Sequence, residues 1–517
     1  MMKDTVSNRY VTIYLFVLLF SVYLFTASGI NANIGDVAIL RLAVAKSIIE
    51  RCDISVSAPA EIVLKGSDGR AYSQFSIGSV LIALPFYAVS KLAGVPPENV
   101  IGIINQLAGA ITTVVVFMFC LSLGYTRRAS LYVSICYGLG TFAWYYAKEP
   151  GDHAIETLFS ILSVYFMHRY STYRRIPYLL LSSVALGFAF LTRPTSLMLI
   201  PPLMIQMVLP HKSVVPIRTA LKTHFKNTVL YFSLLLPFAG IFFWYNFLRF
   251  GSIFETGYTL LAARLGFKSF FTATPLLTGL LGFMESPGKG FFYYSPIALL
   301  FMLSFRPFCK KHPGTAISFT CIIISYLLFF SKFLYWHGDW AWGPRYLSVV
   351  TPFMIIPLAE LFDSSRWDND PLFKQGILAL FVLSMAIQLM SVSIHVYNYF
   401  KYLQDEKVAF NVARGDGAPE ISEPAPDTYF NWRYAPILTQ PKLMLSAGRN
   451  LTTYSHNANT IHAYKMKNIR SQPWLNVFDF WWLYKYYLEN SFTGFIAAFV
   501  LLLLSATSAM KLFKAIA

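Results

Sequence analysis

The fold is decided near the start of the chain, by the apolar run YVTIYLFVLLFSVYLFTASGI (Tyr10–Ile30) followed by NANIGD (Asn31–Asp36) and VAILRLAVAKSIIER (Val37–Arg51). A run of about 20 apolar residues crosses a bilayer as a helix, so the first stretch predicts a membrane span. The third has apolar residues at helical spacing with charged residues between them, which predicts a helix lying in the membrane interface. Asp36 therefore stands at the membrane surface, either as a helix cap or as a carboxylate with chemistry to perform.

The rest of the chain repeats this pattern of long apolar runs and short polar turns. Of its 517 residues, 56% are hydrophobic and 13% are charged, which predicts an all-α protein that crosses the membrane about twelve times. The predicted spans are Tyr10–Ile30, Val100–Gly124, Ala129–Ala147, Ala154–Tyr170, Ile176–Leu191, Thr195–Leu209, Thr228–Leu248, Phe291–Phe305, Ala316–Tyr335, Tyr346–Leu361, Gly376–Val396 and Phe492–Met510. Phe75–Gly94 is either a further span or a re-entrant or interfacial helix, and the second fits the charge pattern better.

The distribution of Lys and Arg sets the orientation. With the amino terminus in the cytoplasm, the basic short loops all fall inside. The outer segments are then 31–99, 148–153, 249–290, 336–345 and 397–491, and these carry most of the acids and tryptophans. We expect a membrane module over 1–396 with its first outer loop at 31–99, a small outer domain over 397–490, and a last helix and tail over 491–517.

The formal net charge of +17 favours anionic lipid or phosphate ligands. Nucleic acid is a poor partner because no basic domain stands apart from the apolar runs. Five scattered cysteines without CxxC spacing predict neither a disulfide framework nor a metal site. A divalent metal is compatible with the chemistry considered below, but no motif requires a cofactor.

Two outer segments combine acids with a possible partner. KEPGDHAIE (Lys148–Glu156) places Asp152 and His153 beside a Pro-Gly turn, where Asp152 is either a helix cap or a second catalytic acid. WHGDWAWGPRY (Trp336–Tyr346) is either an interfacial aromatic belt or a phosphate and sugar site. Its candidate residues are His337, Asp339, Trp340, Trp342, Arg345 and Tyr346.

Two further segments lie on the same predicted face. ESPGKGFFYYSP (Glu285–Pro296) surrounds Lys289 with glycines that let a backbone approach an anion, although a flexible loop with an interfacial lysine explains it equally simply. NFLRFGSIFETGY (Asn246–Tyr258) adds Tyr258 as a substrate-binding candidate. The cations Arg345 and Lys289 suit the phosphate side of a substrate.

Taken in order, these segments resemble the GT-C superfamily of membrane glycosyltransferases, which includes protein O-mannosyltransferases and the lipid A aminoarabinose transferase. The matching features are Asp36, GSDGRAYSQFSIG (Gly66–Gly78), FLTRP (Phe190–Pro194), RFGS with ETGY, SPGKG and WGPRY. The resemblance implies the GT-C fold, with juxtamembrane helices in the first outer loop, and a polyprenyl-phosphate-linked sugar as donor. It also implies that Asp36 is the base. The aminoarabinose transferases carry a lysine where this chain has Gln74, and Arg70 is the expected substitute at the donor phosphate.

We therefore predict an inverting glycosyltransferase that moves a single sugar to a hydroxyl of a glycan, lipid or protein. Its expected location is the inner membrane of a bacterium, with the site on the periplasmic face and membrane lipid around it. The alternatives are a flippase or transporter of lipid-linked sugars and an O-antigen-type polymerase. A transporter is less favoured because ionisable residues such as Glu156 and Glu360 lie near the ends of spans rather than deep within them.

Overall fold

The structure is a computed structural model that describes residues 2–28, 36–60, 62–208, 217–271, 274–338, 341–406, 410–413, 421–424, 426–454, 477–489 and 491–516. These residues are mainly helical and contain two sheets of two strands each. β1 (Val63–Lys65) pairs antiparallel with β2 (Ala71–Ser73), and Leu64 lies opposite Tyr72. β3 (Phe410–Ala413) pairs antiparallel with β4 (Ile421–Pro424).

The described residues of the amino-terminal half form twelve α-helices. They are α1 (Met2–Phe25), α2 (Asp36–Arg51), α3 (Gly78–Ala93), α4 (Pro97–Ile101), α5 (Ile104–Ser122), α6 (Arg127–Gly140), α7 (Ala143–Lys148), α8 (His153–Tyr173), α9 (Ile176–Thr192), α10 (Ile200–Val208), α11 (Ile217–Ser233) and α12 (Leu236–Phe250). The helix predicted over Val37–Arg51 is confirmed as α2. Phe75–Gly94 forms the apolar helix α3, and its interfacial or spanning placement stays a prediction.

The described residues of the second half form thirteen α-helices, many of which are shorter. They are α13 (Tyr258–Arg264), α14 (Leu276–Glu285), α15 (Phe291–Tyr294), α16 (Phe301–Lys311), α17 (Pro313–Ser331), α18 (Thr351–Ile355), α19 (Ala359–Phe362), α20 (Ser365–Asn369), α21 (Pro371–Ser393), α22 (Val396–Asp405), α23 (Pro436–Tyr454), α24 (Trp481–Glu489) and α25 (Thr493–Ile516). Short 3₁₀ helices cover Pro194–Leu199, Pro296–Leu300, Arg345–Leu347, Ile356–Leu358, Pro426–Phe430 and Trp432–Tyr434.

Six described helices are long and apolar enough to cross a membrane. They are Asn8–Phe25, Pro97–Ser122, Phe225–Phe250, Pro313–Ser331, Pro371–Ser393 and Thr493–Ala515. Five shorter apolar helices accompany them. The predicted class, an all-α multi-pass membrane protein, is confirmed, and the count of twelve crossings stays a prediction.

Several predicted spans are broken in the structure, and two of these breaks contact each other. Ala129–Ala147 divides into α6 and α7, because the chain becomes extended at Thr141 and the N–H of Phe142 donates to Oγ of Ser295 instead of continuing the helix (3.2 Å). Phe291–Phe305 divides at Pro296, whose ring cannot continue α15. Ser295 immediately precedes Pro296, so this hydrogen bond joins the two breaks.

The first outer loop is held to the membrane helices by one buried cation. Nη1 of Arg249, on α12, donates to the carbonyl oxygens of Ser73 (2.6 Å) and Phe75 (3.2 Å), and its guanidinium lies 3.9 Å from the ring centre of Tyr245. The side chain is almost fully buried and also donates to Asn246. The β1–β2 hairpin is thereby fixed at the outer end of α12.

The chain ends pack together. The last helix, α25, lies along α1, and the segment before it is bonded to the outer end of α1. The N–H of Trp481 donates to the carbonyl oxygen of Ala27 (3.0 Å), and the indole N–H groups of Trp481 and Trp482 donate to carbonyls of Leu24 and Phe25. The segment before the last helix is therefore fixed beside the start of the predicted first outer loop.

Candidate active site

The predicted base stands at the start of α2. Asp36 is the first residue of that helix, and its side chain lies outside the part that the structure describes. Five residues further on, Arg41 is buried and donates through Nη2 to the carbonyl oxygens of Pro150 (2.9 Å) and Gly151 (3.2 Å) and to Oδ1 of Asp152 (2.8 Å). The helix that carries Asp36 is therefore bonded directly to the predicted second motif.

The ion pair of Asp152 decides whether this residue caps α8. Asp152 precedes α8, but its carboxylate makes no capping hydrogen bond to that helix. It pairs with Arg41 instead, and only 3% of the Arg41 side chain and 8% of the Asp152 side chain are exposed. The interpretation of Asp152 as a helix cap is wrong, because its carboxylate pairs with the buried guanidinium of Arg41.

The rest of the 148–153 loop is anchored by other elements. Nζ of Lys148 lies 2.9 Å from Oδ2 of Asp479 and donates to the carbonyl oxygens of Val392 (2.5 Å) and Asp479 (2.6 Å). Glu149 folds back so that its Oε2 accepts from the N–H of Gly151 (2.9 Å), and burial raises the pKa of this carboxyl group. Burial lowers the pKa of Lys148, and the Asp479 carboxylate opposes that shift.

On the other side of the same loop is a cluster of cationic and aromatic groups. Arg193 lies between α9 and the following 3₁₀ helix, and its Nη1 is 3.1 Å from Nε2 of His153. Its Nε is 3.5 Å from Oε2 of Glu156. The guanidinium carbons of Arg193 and Arg345 lie 5.5 and 4.8 Å from the ring centre of Tyr346, whose hydroxyl accepts from Nη2 of Arg345 (2.8 Å). Two guanidinium groups thus converge on one ring.

The segment before Arg345 is fixed by buried contacts. Nζ of Lys289 donates to the carbonyl oxygen of Ala341 (2.6 Å), and the carbonyl oxygen of Trp342 accepts from the hydroxyl of Tyr146 (2.7 Å). The ring of His337 stacks on Tyr429 at 4.6 Å. Lys289, Trp342 and His337 therefore hold the loop that leads to Arg345. The predicted substrate contacts Asp339 and Trp340 lie outside the described residues.

Arg70 lies apart from this cluster, whereas Tyr258 interacts electrostatically with Arg193 and Arg345. Arg70 is exposed on the β1–β2 hairpin and pairs with Asp68 (2.6 Å) and Asp53 (3.0 Å). Hydrogen bonds from Tyr72 and Arg70 lower the pKa of Asp68 to about 2. Tyr258 begins α13, half-buried, and burial raises the pKa of its hydroxyl. The structure brings Asp152, His153, Arg345 and Tyr346 together, whereas Arg70 is engaged by two acids on the hairpin.

The family comparison covers the central part of this site. Residues 80–244 match the family model of dolichyl-phosphate-mannose-protein mannosyltransferases. The matched region contains the 148–153 loop and Arg193. It confirms the predicted resemblance to the GT-C membrane glycosyltransferases over this part of the chain. No curated protein sequence is similar enough to this chain to count as a match.

The chain also shows low similarity to solved structures of ArnT and of an archaeal oligosaccharyltransferase. ArnT from Cupriavidus metallidurans in the apo state is 12% identical, with a TM-score of 0.45, over 100% of this chain and 78% of that one. ArnT bound to undecaprenyl phosphate is 14% identical, with a TM-score of 0.47, over 77% and 72%. The Archaeoglobus fulgidus oligosaccharyltransferase tethered to an acceptor peptide is 12% identical, with a TM-score of 0.49, over 93% of this chain and 63% of that one.

Beside the region matched to the mannosyltransferases is a cavity of about 480 Å³. It lies between the outer end of α1, the first turns of α2, the α4–α5 junction and α24. The lining residues are Leu24, Ala27, Ser28, Ala38, Arg41, Leu42, Glu98, Asn99, Ile101, Gly102, Ile103, Asn105, Gln106, Lys148, Pro150, Trp481, Tyr484 and Lys485. Within the described ranges, no three His, Cys, Asp or Glu side chains come together as metal ligands.

Several of these residues were not predicted from the sequence. In the sequence, Arg41 is only one of several charged residues on the predicted interfacial helix, and Arg193 is only part of the FLTRP motif. No sequence pattern distinguishes Asn105 or Asp479, because a single amide or acid near an apolar run is common. A buried partner was nevertheless to be expected for Lys148, since it stands at the end of an apolar run.

Proposed function

We propose that the protein is an inverting glycosyltransferase that moves a single sugar from a polyprenyl-phosphate donor to a hydroxyl of a glycan, lipid or protein acceptor. The family match supports a lipid-phosphate-linked donor. The charge pattern supports a site on the extracytoplasmic face of the membrane, which in a bacterium is the periplasmic face of the inner membrane.

One observation carries the proposal. Adjacent residues of one loop connect the helix of the predicted base with the cationic cluster, since Asp152 pairs with Arg41 on the Asp36 helix and His153 contacts Arg193. An inverting displacement needs a base on one face of the sugar and positive charge at the phosphate on the other. The loop provides a fixed connection between two such sides.

The chemistry is a single displacement. Asp36 accepts the proton of the acceptor hydroxyl as its oxygen forms a bond to the anomeric carbon. The bond from that carbon to the phosphate oxygen breaks, and the electron pair leaves with the polyprenyl phosphate. Arg345 and Arg193 stabilise the departing phosphate, because a guanidinium offers two parallel donors to phosphate oxygens.

The other predicted residues take supporting roles in this proposal. Asp152 orients the loop through Arg41 rather than sharing the proton transfer. Lys289 and Trp342 hold the segment that carries Arg345, as their buried contacts indicate. Arg70 is assigned no direct phosphate contact, because its exposed guanidinium already pairs with Asp68 and Asp53.

The test is the substitution Asp36→Asn in the full chain, reconstituted in lipid nanodiscs with polyprenyl-phosphate mannose. We expect transfer to fall by at least about 10²-fold, because the amide cannot accept the proton. The control is Asp68→Asn, which removes an exposed carboxylate from the same outer loop and should leave transfer unchanged. Wild-type turnover in the Asp36→Asn variant would disprove the assignment of the base. Transfer of a preassembled glycan but never of a single sugar would indicate a polymerase instead.

A further inference from the structure

Glu156 is a buried acid beside the cationic cluster, and the proposed mechanism gives it no role. We infer that Glu156 is a positioning residue, which holds the guanidinium of Arg193 in the orientation that binds the phosphate of the polyprenyl carrier. This inference rests on the proposed function, because it concerns the phosphate side of the same site.

Arg193 stands at a break between two helical segments. α9 ends at Thr192, a 3₁₀ helix begins at Pro194, and the backbone of Arg193 between them is extended (φ −145°, ψ 119°). Pro194 explains this conformation, because a proline ring disfavours helical backbone in the residue before it. The side chain of Arg193 meets the first turns of α8, which carry His153 and Glu156.

The carboxylate of Glu156 contacts this break at three residues. Its Oε2 lies 3.5 Å from Nε of Arg193, and its Oε1 accepts from the hydroxyls of Thr195 (3.2 Å) and Ser196 (3.3 Å). Only 4% of the Glu156 side chain is exposed, whereas 20% of the Arg193 side chain is exposed. The carboxylate is therefore enclosed by the turn that it holds, while part of the arginine side chain stays accessible.

Two contacts determine the orientation of the guanidinium group, because this group is planar. Nε of Arg193 faces Glu156, and Nη1 lies 3.1 Å from Nε2 of His153. Nη2 makes no hydrogen bond to any described residue and keeps surface that a ligand can reach. Its direction is fixed by the other two nitrogens. Nη2 is therefore available to donate to a phosphate oxygen.

Glu156 also balances charge where two cations meet. The guanidinium groups of Arg193 and Arg345 both lie against the ring of Tyr346, where they repel each other. Residues 157–254 contain no Asp or Glu, so no carboxylate of this long stretch can replace Glu156. Without Glu156, we expect repulsion to displace Arg193 from Arg345, so that the phosphate loses one of its two cations.

Binding of two radiolabelled lipids to the full chain, purified in one detergent, tests the inference without turnover. One probe is a polyprenyl phosphate, and the other is the corresponding polyprenol, which has the same carrier but no phosphate. In Glu156→Gln, Arg193 loses its carboxylate partner, and we expect the Kd of the polyprenyl phosphate to rise at least about fivefold while that of the polyprenol changes less than about twofold. A general loss of structure would weaken binding of both lipids.

Two comparisons separate positioning from other effects. Because Glu156 is inferred to act through Arg193, Glu156→Gln/Arg193→Ala should bind the polyprenyl phosphate no more weakly than Arg193→Ala alone. The matched control is Glu360→Gln on the predicted cytoplasmic side. Oε1 of Glu360 also accepts from a hydroxyl, that of Tyr125 (2.6 Å), and lies 3.7 Å from Nζ of Lys311. This control should leave both Kd values unchanged.

A second variant serves if Glu156→Gln does not fold. Ser196→Ala removes one of the two hydroxyls that hold Oε1 of Glu156 and alters no charge. We expect it to raise the Kd of the polyprenyl phosphate about two- to threefold and to leave that of the polyprenol unchanged. Unchanged affinity for the polyprenyl phosphate, equal weakening of both lipids, or a double variant weaker than Arg193→Ala would overturn the inference.

The two proposals fail in different ways. Phosphate-selective weakening by Glu156→Gln, in a protein that transfers no sugar, would support the positioning role and disprove the transferase. Sugar transfer that requires Asp36, in a protein whose affinity for polyprenyl phosphate does not depend on Glu156, would support the transferase and overturn the positioning role.

Discussion

Separating Arg41 from Asp152 tests the central contact of the site. At 2.8 Å and an effective dielectric constant of about 20, the pair gains about 6 kcal/mol of Coulomb energy, which is partly offset by desolvation of both charges. Removing one partner leaves the other charge buried, so Arg41→Met or Asp152→Ala should each cost about 3–5 kcal/mol of folding stability. The double variant leaves no isolated charge, so its loss of folding stability should be clearly smaller than the sum of the losses of the two single variants.

The wild type, the two single variants and the double variant form a double-mutant cycle. The free energy of unfolding and kcat are measured for all four proteins in one detergent. Because Asp152 is proposed to act through Arg41, the two single variants should lower kcat by similar factors, and the double variant should not lower it further. Asp68→Ala, which breaks an exposed ion pair of the same outer loop, is the control and should change stability little. Additive losses of stability, or a loss of kcat confined to Asp152→Ala, would refute the reasoning and restore Asp152 as a catalytic acid.

Three further outcomes are expected. Arg345→Ala and Arg193→Ala should each lower kcat about 10²–10³-fold through slower phosphate departure, as measured by release of polyprenyl phosphate. Glu149→Gln should raise the thermal midpoint at neutral pH, because burial raises the pKa of Glu149 and its ionised form therefore lowers stability; the gain should vanish as the pH falls below about 4.5, where both states bind the proton. Lys148→Met should cost about 3–5 kcal/mol by leaving Asp479 buried without its cation, and the Lys148→Met/Asp479→Leu pair should recover most of that loss, measured by thermal unfolding.

The helical class was predictable because a membrane helix requires a continuous run of apolar residues, which is visible in the sequence. Each of the twelve predicted spans falls largely on helical residues, and the α2 helix has the predicted bounds within one residue. The breaks were not predictable in the same way. The end of α6 at Gly140 is stabilised by Ser295, a residue 153 positions away from Phe142, and no local pattern announces such a partner. The apolar helix α14 lies within the segment predicted as an outer loop, since its ten residues are too few to read as a span.

The candidate site was predictable in part for the same reason. Motifs such as KEPGDHAIE and WGPRY indicated segments that the structure brings together, because unusual residues stand close together in each motif. The partners that fix those segments come from far away. Arg41 and Asp152 are 111 residues apart, and the Lys148–Asp479 contact spans 331 residues. Helical periodicity shows which face of α2 carries Arg41, but it does not show which loop that face meets.

Nearly every residue of the 148–153 loop is held by a side chain from another part of the chain, and this arrangement has a mechanical consequence. Lys148 is held by the segment before α24, Gly151 by Asn105 and Arg41, Asp152 by Arg41, and His153 by Arg193. Six residues are too short a chain to let one of these contacts move independently of the next. We expect a displacement of the Asp36 helix to be transmitted to Arg193. In the proposed mechanism, the loop would then set the distance between the base and the leaving group.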